Sequence, residues 1–179
     1  MSSLAAALSR YRLLQPDEWA TIDLFDAFLH SGTTVFERSH VIGHFTGSAW
    51  VVSADGKRVL LTHHRKLDRW LQPGGHADGD DDLARVALRE AQEETGLAGV
   101  RLQDGEIFDL DRHLIPARKS DPDHWHYDVR YVMRAGADER YAVSEESHDL
   151  VWRDVAELAL AVDTEASVRR MAEKWLRRE

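Results

Sequence analysis

The chain contains no cysteine. That single absence removes a disulfide framework, a thiolate nucleophile and a zinc–thiolate site. No apolar run is long enough to span a bilayer, and the start of the chain lacks the basic-then-apolar order of a signal peptide. Positive charge is scarce: 23 Lys and Arg against 32 Asp and Glu leave a formal net charge of −9. A surface of that sign disfavours general nucleic-acid binding and docking on acidic lipid. Internal repeats and low-complexity tracts are missing too. What remains is a protein expected in the cytosol, with no membrane and no stable nucleic-acid partner.

At 179 residues, with 43% hydrophobic and 31% charged, the chain suits one domain with a short extension. Residues 1–38 read as an N-terminal helical extension packed on the core, and residues 39–179 as the main domain. A homodimer contact is the sharper reading of that extension. Helical pattern covers Ser3 to His30, with Pro16 as a start signal for the part from Asp17 to Leu29. Strands are expected at His44–Ser53 and Arg58–His63, joined by Ala54-Asp55-Gly56-Lys57, whose Asp-Gly pair signals a hairpin. Further strand-like runs lie near Val100–Asp111, His126–Arg134 and Asp149–Arg153. From Glu165 to Arg177, Val168, Met171, Ala172, Trp175 and Leu176 form an amphipathic helical face. The pattern predicts an α/β fold, a mixed sheet with helices on both faces.

The unusual segment runs from Asp81 to Thr95. It is helical in pattern, with apolar residues at Leu83, Val86, Ala87 and Ala91. Winding it at about 100° per residue sets Glu90 and Glu94 on either side of Leu83's direction and Glu93 beside Val86. A stripe that begins core-facing therefore becomes carboxylate in its last two turns. Arg85, Arg89 and Gln92 take the opposite, solvent side. Like charges at i, i+3 and i, i+4 cost roughly 0.2–0.5 kcal/mol per pair. The negative end of the helix dipole adds about 0.3–1 kcal/mol for each carboxylate. Partial burial of unpaired ions outweighs both. A divalent cation relieves all three terms together. The plainer alternative is an exposed acidic face, and the direction of the stripe argues against it.

The preceding run, Trp70 to Asp82, is rich in glycine and acid and has no apolar period after Leu71, so it reads as a loop. Gly74 and Gly75 permit positive φ and close approach of main-chain carbonyls, which are suitable hard ligands for Mg²⁺. Alone, Pro73-Gly74-Gly75 is no more than a tight turn. Asp80 or Asp81 would serve as the helix N-cap and Gly96 as its C-cap.

Loop and helix together are more specific. From Gly75 the chain passes five residues to Asp81, then seven more to Arg89-Glu90-Ala91-Gln92-Glu93-Glu94-Thr95-Gly96-Leu97. Over these 23 positions it resembles the signature of the Nudix hydrolases. Asp81 stands where the family usually has Glu, and Ala91 where it has a larger aliphatic residue. The resemblance implies a Nudix-type α/β/α sandwich around a mixed β-sheet. It implies Mg²⁺ (or Mn²⁺) held by Glu90, Glu93 and Glu94, completed by the carbonyl of Gly74 or Gly75. Arg89 would orient a carboxylate, provided the loop folds back over it.

The implied activity is hydrolysis of a diphosphate bond in a nucleoside diphosphate linked to another moiety. The general base is left open between Glu93 or Glu94 and a glutamate of a later loop, Glu145 or Glu146. Arg65, Lys66 and His76 are candidates for reading the substrate's phosphates. His124 and His126 alternate along one extended segment and so share a face. A transition-metal histidine site lacks supporting spacing in the sequence. Trp50, Trp70 and Trp125 are candidates for stacking on a base, although core packing is the commoner fate of tryptophan. A catalytically silent Nudix-fold nucleotide sensor is the alternative; such proteins often lose signature carboxylates, and all three are present. The family's isomerase chemistry needs a cysteine, which this chain lacks.

Overall fold

The computed structural model describes residues 3–117, 122–145 and 147–178. Its first boundary follows from Pro16, which has no N–H to give to a helix interior. Helix α1 (Ser3–Leu14) stops before it, and Pro16 opens a single 3-10 turn, Pro16–Glu18, that leads into α2 (Trp19–Leu29). The next elements are β1 (Gly43–Val52), β2 (Arg58–His64), β3 (Arg69–Leu71), β4 (Gly74–His76) and α3 (Leu83–Thr95). They are followed by β5 (Arg101–Ile115), β6 (His124–Arg134), β7 (Ser147–Asp154), α4 (Val155–Leu160) and α5 (Ala166–Leu176).

The strands form a sheet of order β3-β2-β1-β6-β5, with β4 also pairing with β1 and β7 with β2. The architecture is α/β with a mixed sheet. Two short strands, β3 and β4, overlap the segment expected as a loop. They escape the periodicity test because the backbone ladder, not a side-chain pattern, makes them. Gly74, Gly75 and His76 pair antiparallel with Ser48, Gly47 and Thr46. Arg69, Trp70 and Leu71 pair with His64, His63 and Thr62. Helix α4 was not anticipated either; Asp154 starts it by accepting the Glu157 N–H at 3.0 Å.

The described residues group into two compact units. One draws on Met1–Ser48, Gly74–Ala87 and Gly105–Tyr131. Leu8, Tyr11, Ile22, Phe25, Phe45 and Phe108 are its large buried side chains. Each contributes about 1.5–3 kcal/mol by burial. Phe28 stacks on Tyr127 at 3.8 Å between centroids, and Phe25 meets the same ring edge-on at 5.4 Å. The N-terminal helices are tied in by Tyr11, whose hydroxyl donates to Glu18 at 2.6 Å, and by Arg10, paired with Glu106 at 2.9 Å.

The other unit draws on Ala49–Pro73, Leu88–Asp104 and Val132–Glu179. Trp50, Leu60, Leu61, Val168 and Met171 are fully buried there. The β2–β7 ladder runs from Arg58↔Asp154 to Thr62↔Leu150 and shifts register at His63/His64. The expected face of α5 is buried at Val168, Met171, Ala172 and Trp175, but its last member, Leu176, is exposed. Trp175 also donates its indole N–H to the Gly56 carbonyl at 2.9 Å, fixing the turn between β1 and β2.

Candidate active site

Helix α3 is capped one residue after Asp81 and two after Asp80, the expected caps. Asp82 is the cap, accepting the Arg85 N–H at 3.1 Å. Asp80 instead accepts the Asp82 N–H at 2.9 Å and binds the Arg85 guanidinium at 2.6 and 2.9 Å. Asp81, at the signature's first acidic position, is exposed. The helix ends as expected at Gly96, whose φ of +63° is the left-handed conformation glycine adopts freely.

Leu83, Val86, Ala87 and Ala91 are all buried, as their period requires. The three glutamates that follow are graded in exposure. Glu94 is only 6% exposed, and the Glu90 side chain 16%. Glu93 is exposed, although it follows Val86 by nearly two whole turns. Angle alone does not bury a side chain in the last turn of a helix. Arg89 is half-buried rather than solvent-facing, and its Nη2 donates to Glu90 Oε1 at 2.8 Å. It reaches its neighbour along the helix directly.

The donors on α3 are all carboxylate oxygens, from the most buried, Glu94, to the most open, Glu93. A hard divalent cation such as Mg²⁺ or Mn²⁺ suits that set, because such ions take oxygen ligands and retain exchangeable waters. Earlier in the motif, Gly74 is held to β1 so closely that a Cβ would overlap Ser48, whose Cα it would approach to 2.9 Å. Only glycine fits there, for reasons of space rather than positive φ.

His76 belongs to a group of imidazoles that neighbouring strands assemble. His44 lies 5.1 Å between ring centroids from His76, 5.1 Å from His124 and 4.8 Å from His126. His113 lies 5.4 Å from His126. Burial, followed by the neighbouring rings His76 and His124, pulls the His44 pKa down to about 4. Burial and then His44 and His76 pull His126 to about 2. Both rings are therefore neutral near pH 7. Among the described residues, neither nitrogen of His44 has a hydrogen-bond partner, nor does Nε2 of His126. A buried polar group left so costs about 1–3 kcal/mol.

Of the other expected phosphate-reading residues, Arg65 and Lys66 are exposed just after β2. Arg65 Nη2 donates to the Ser147 carbonyl at 3.0 Å. Glu145 is exposed, and Glu146 lies outside the described residues. Trp50 is core. Trp70 carries His63 stacked at 4.9 Å, and Trp125 lies under the Arg112 guanidinium at 4.2 Å.

A buried charge cluster is missing from the expectations. Arg130, 2% exposed, binds Asp128 at 2.7 Å, Asp109 at 3.1 Å and Asp111 at 3.3 Å. Thr46 and Ser48 donate to the other oxygen of Asp128 at 2.8 and 2.7 Å. Burial opposes the charge on Arg130, but Asp128, Asp109 and Asp111 outweigh it and raise its pKa. The i, i+2 pairs Asp109/Asp111 and Asp128/Arg130, interleaved with Leu110 and Val129, were the available signal.

An α/β fold with three carboxylates in the closing turns of one helix defines a known class of hydrolytic domain. Residues 44–175 match the model of the NUDIX domain, and the chain belongs to that family. It is 43% identical over 63 residues to the m7GpppN-mRNA hydrolase NUDT17 of Xenopus laevis, covering 32% of this chain and 20% of that protein. It is 32% identical over 82 residues to an RNA pyrophosphohydrolase of Bartonella tribocorum, covering 42% and 45%. The chain thus spans less than half the length of these curated relatives. Among solved structures, a NUDIX family hydrolase from Clostridium perfringens aligns with a TM-score of 0.55 at 25% identity, covering 76% of this chain and 98% of that one. Among the described residues, no helix is long and apolar enough to cross a membrane.

Proposed function

We propose that the chain is a divalent-metal-dependent pyrophosphohydrolase that cleaves the diphosphate bond of a nucleoside diphosphate joined to another group. The observation that carries this reading is the graded triad Glu90, Glu93 and Glu94 at signature spacing on α3, with Arg89 bonded to Glu90. Relatives named m7GpppN-mRNA hydrolase and RNA pyrophosphohydrolase support the reaction class.

Glu90, Glu93 and Glu94 would hold the metal ion, and in the motif's pattern the main-chain carbonyl of Gly74 or Gly75 would be a further donor. A bound Mg²⁺ or Mn²⁺ supplies positive charge at the phosphate oxygens, where the transition state gathers negative charge. Arg89, bonded to Glu90 at 2.8 Å, would hold that carboxylate in one rotamer. Glu93, the exposed member, is the carboxylate best able to accept the proton of the attacking water; Glu94 is the neighbouring choice. Water then forms a new P–O bond as the bridging P–O bond breaks, and the bridging oxygen leaves with the other phosphate. Arg65 and Lys66 are adjacent exposed cations suited to contact the substrate's phosphates.

The test is a panel of nucleotide sugars, dinucleoside polyphosphates, nucleoside triphosphates, dinucleotide cofactors and 5′-triphosphorylated RNA, assayed for phosphate products. Cleavage of one class should vanish with chelator and return with Mg²⁺ or Mn²⁺. Cleavage that persists in chelator, or nucleotide binding with no turnover on any substrate, would overturn the proposal.

A further inference from the structure

Neither the hydrolase reading nor the aromatic core uses the imidazole group on β1 and β6. His44, on β1, is 2% exposed and aims two unpartnered ring nitrogens among its neighbours. His124 and His126 stand two apart on β6 with ring centroids 5.3 Å apart. One ligand atom from each of the three lies within 4.8 Å of the others. A tetrahedral ion holding nitrogens at about 2.0–2.1 Å requires them about 3.4 Å apart, so small ring rotations close the set.

Hydrogen bonding around the group favours the same use. Nδ1 of His124 is 2.9 Å from the Pro122 carbonyl and donates to it, which leaves the Nε2 lone pair available. Binding the distal nitrogen by a carbonyl is how metal-bound histidines are usually oriented. His126 contributes an Nε2 that has no partner among the described residues. Packing alone gives no reason to bury three such nitrogens among further imidazoles, because phenylalanine would fill the space without them.

We propose that His44, His124 and His126 form a three-imidazole site for a borderline divalent transition ion of the Zn²⁺ class, distinct in donor chemistry from the carboxylates of α3. Nitrogen donors suit zinc, cobalt, nickel or copper, whereas Mg²⁺ takes oxygen. The fourth position is filled by water, or by His76, whose ring centroid lies 5.1 Å from both His44 and His126. Bound there, the ion cross-links β1 to β6 and gives the orphaned nitrogens a partner. The sequence conceals this site because its ligands are 80 residues apart, from His44 to His124, and meet only through strand pairing.

The test uses the full chain, stripped with chelator, dialysed and titrated with Co²⁺ and then Zn²⁺ in the absence of Mg²⁺. In wild type one Co²⁺, apart from any held by the carboxylates of α3, should show the intense visible absorption of a tetrahedral nitrogen site, and Zn²⁺ should bleach it. Glu93→Gln should leave that band intact. His124→Gln, at a half-buried position that the fold tolerates, should weaken Zn²⁺ binding by about 100-fold or more, beyond the range seen for outer-shell partners. His44→Asn should do the same, and His30→Asn, exposed on α2, should change nothing. Should His44→Asn fail to fold, wild type and His124→Gln decide alone. Wild type that neither develops the band nor retains Zn²⁺ overturns the proposal. So does a band that survives His124→Gln or disappears in Glu93→Gln.

Discussion

Two acidic clusters in this molecule meet the same electrostatic problem in opposite ways. Asp109, Asp111 and Asp128 surround Arg130 in the interior, with Asp109 and Arg130 essentially sealed from solvent. Their cation is built into the chain, and Thr46 and Ser48 occupy the free oxygen of Asp128. Glu90, Glu93 and Glu94 have Arg89 to one side, bound to Glu90, and stay open at Glu93. A guanidinium centred among carboxylates leaves no room for a metal ion or an exchangeable water. A guanidinium at the margin steadies one carboxylate while Glu93 stays open to solvent. Three acidic residues are thus a structural joint in the first case and a candidate ligand set in the second, and the position of the arginine makes the difference.

The strongest way to break the comparison is Arg130→Met. It strands three carboxylates in the interior, and removing one partner of a buried ion network costs about 3–5 kcal/mol. Urea unfolding should show that loss in the midpoint at unchanged slope. A loss under about 1 kcal/mol would mean that the aspartates protonate or hydrate easily, and the cluster would not be the joint described. Replacing Arg130 and its three partners together by apolar residues of similar volume should recover most of the stability.

Next in size is Glu93→Gln. At an exposed position it should shift the melting temperature by less than about 2 °C, within the usual range for surface changes. Turnover should fall about 100-fold or more, equivalent to roughly 2.7 kcal/mol of transition-state stabilisation. Retained turnover would remove Glu93 from the metal-binding set. Arg89→Ala should have a smaller effect, about tenfold in activity or in the Mg²⁺ concentration for half-maximal rate, as for other residues that orient a ligand. An Arg89→Ala enzyme at wild-type rate would make the bond to Glu90 incidental.

The comparison also shows what a sequence can disclose. The acidic helix was legible because its members lie within one periodic segment, where angle follows from spacing. The same rule placed Leu83, Val86 and Ala91 in the core, and the hairpin and the α5 face followed from equally local signals. It misjudged Glu93, since the last turn of a helix can escape cover that the turn before it receives. Gly74–His76 was missed as a strand because glycines pair through backbone without any side-chain alternation. Arg130 and the imidazoles were hidden for another reason. Their partners sit on different strands, and strand order is not written into any single strand.

The smallest effect is expected at the later loop. Glu145 is exposed and follows Ser144, whose carbonyl accepts the Ser147 N–H at 3.3 Å in a tight turn. That turn is anchored on β2: Ser147 Oγ is hydrogen-bonded to Thr62 Oγ1, and Arg65 holds the Ser147 carbonyl at 3.0 Å. Ser147, two residues beyond Glu145, is thereby fixed to β2. Glu93, by contrast, is carried by the same helix as Glu90 and Glu94. Glu145→Gln and Glu146→Gln, alone and combined, should leave turnover within about threefold of wild type, a barrier change of roughly 0.65 kcal/mol. A sharp fall in either single variant, with the pH–rate profile losing its lower limb, would transfer the base from α3 to this loop. The α3 glutamates would then serve the metal ion alone, which would bring them closer to the purely charge-balancing part that the aspartates play around Arg130.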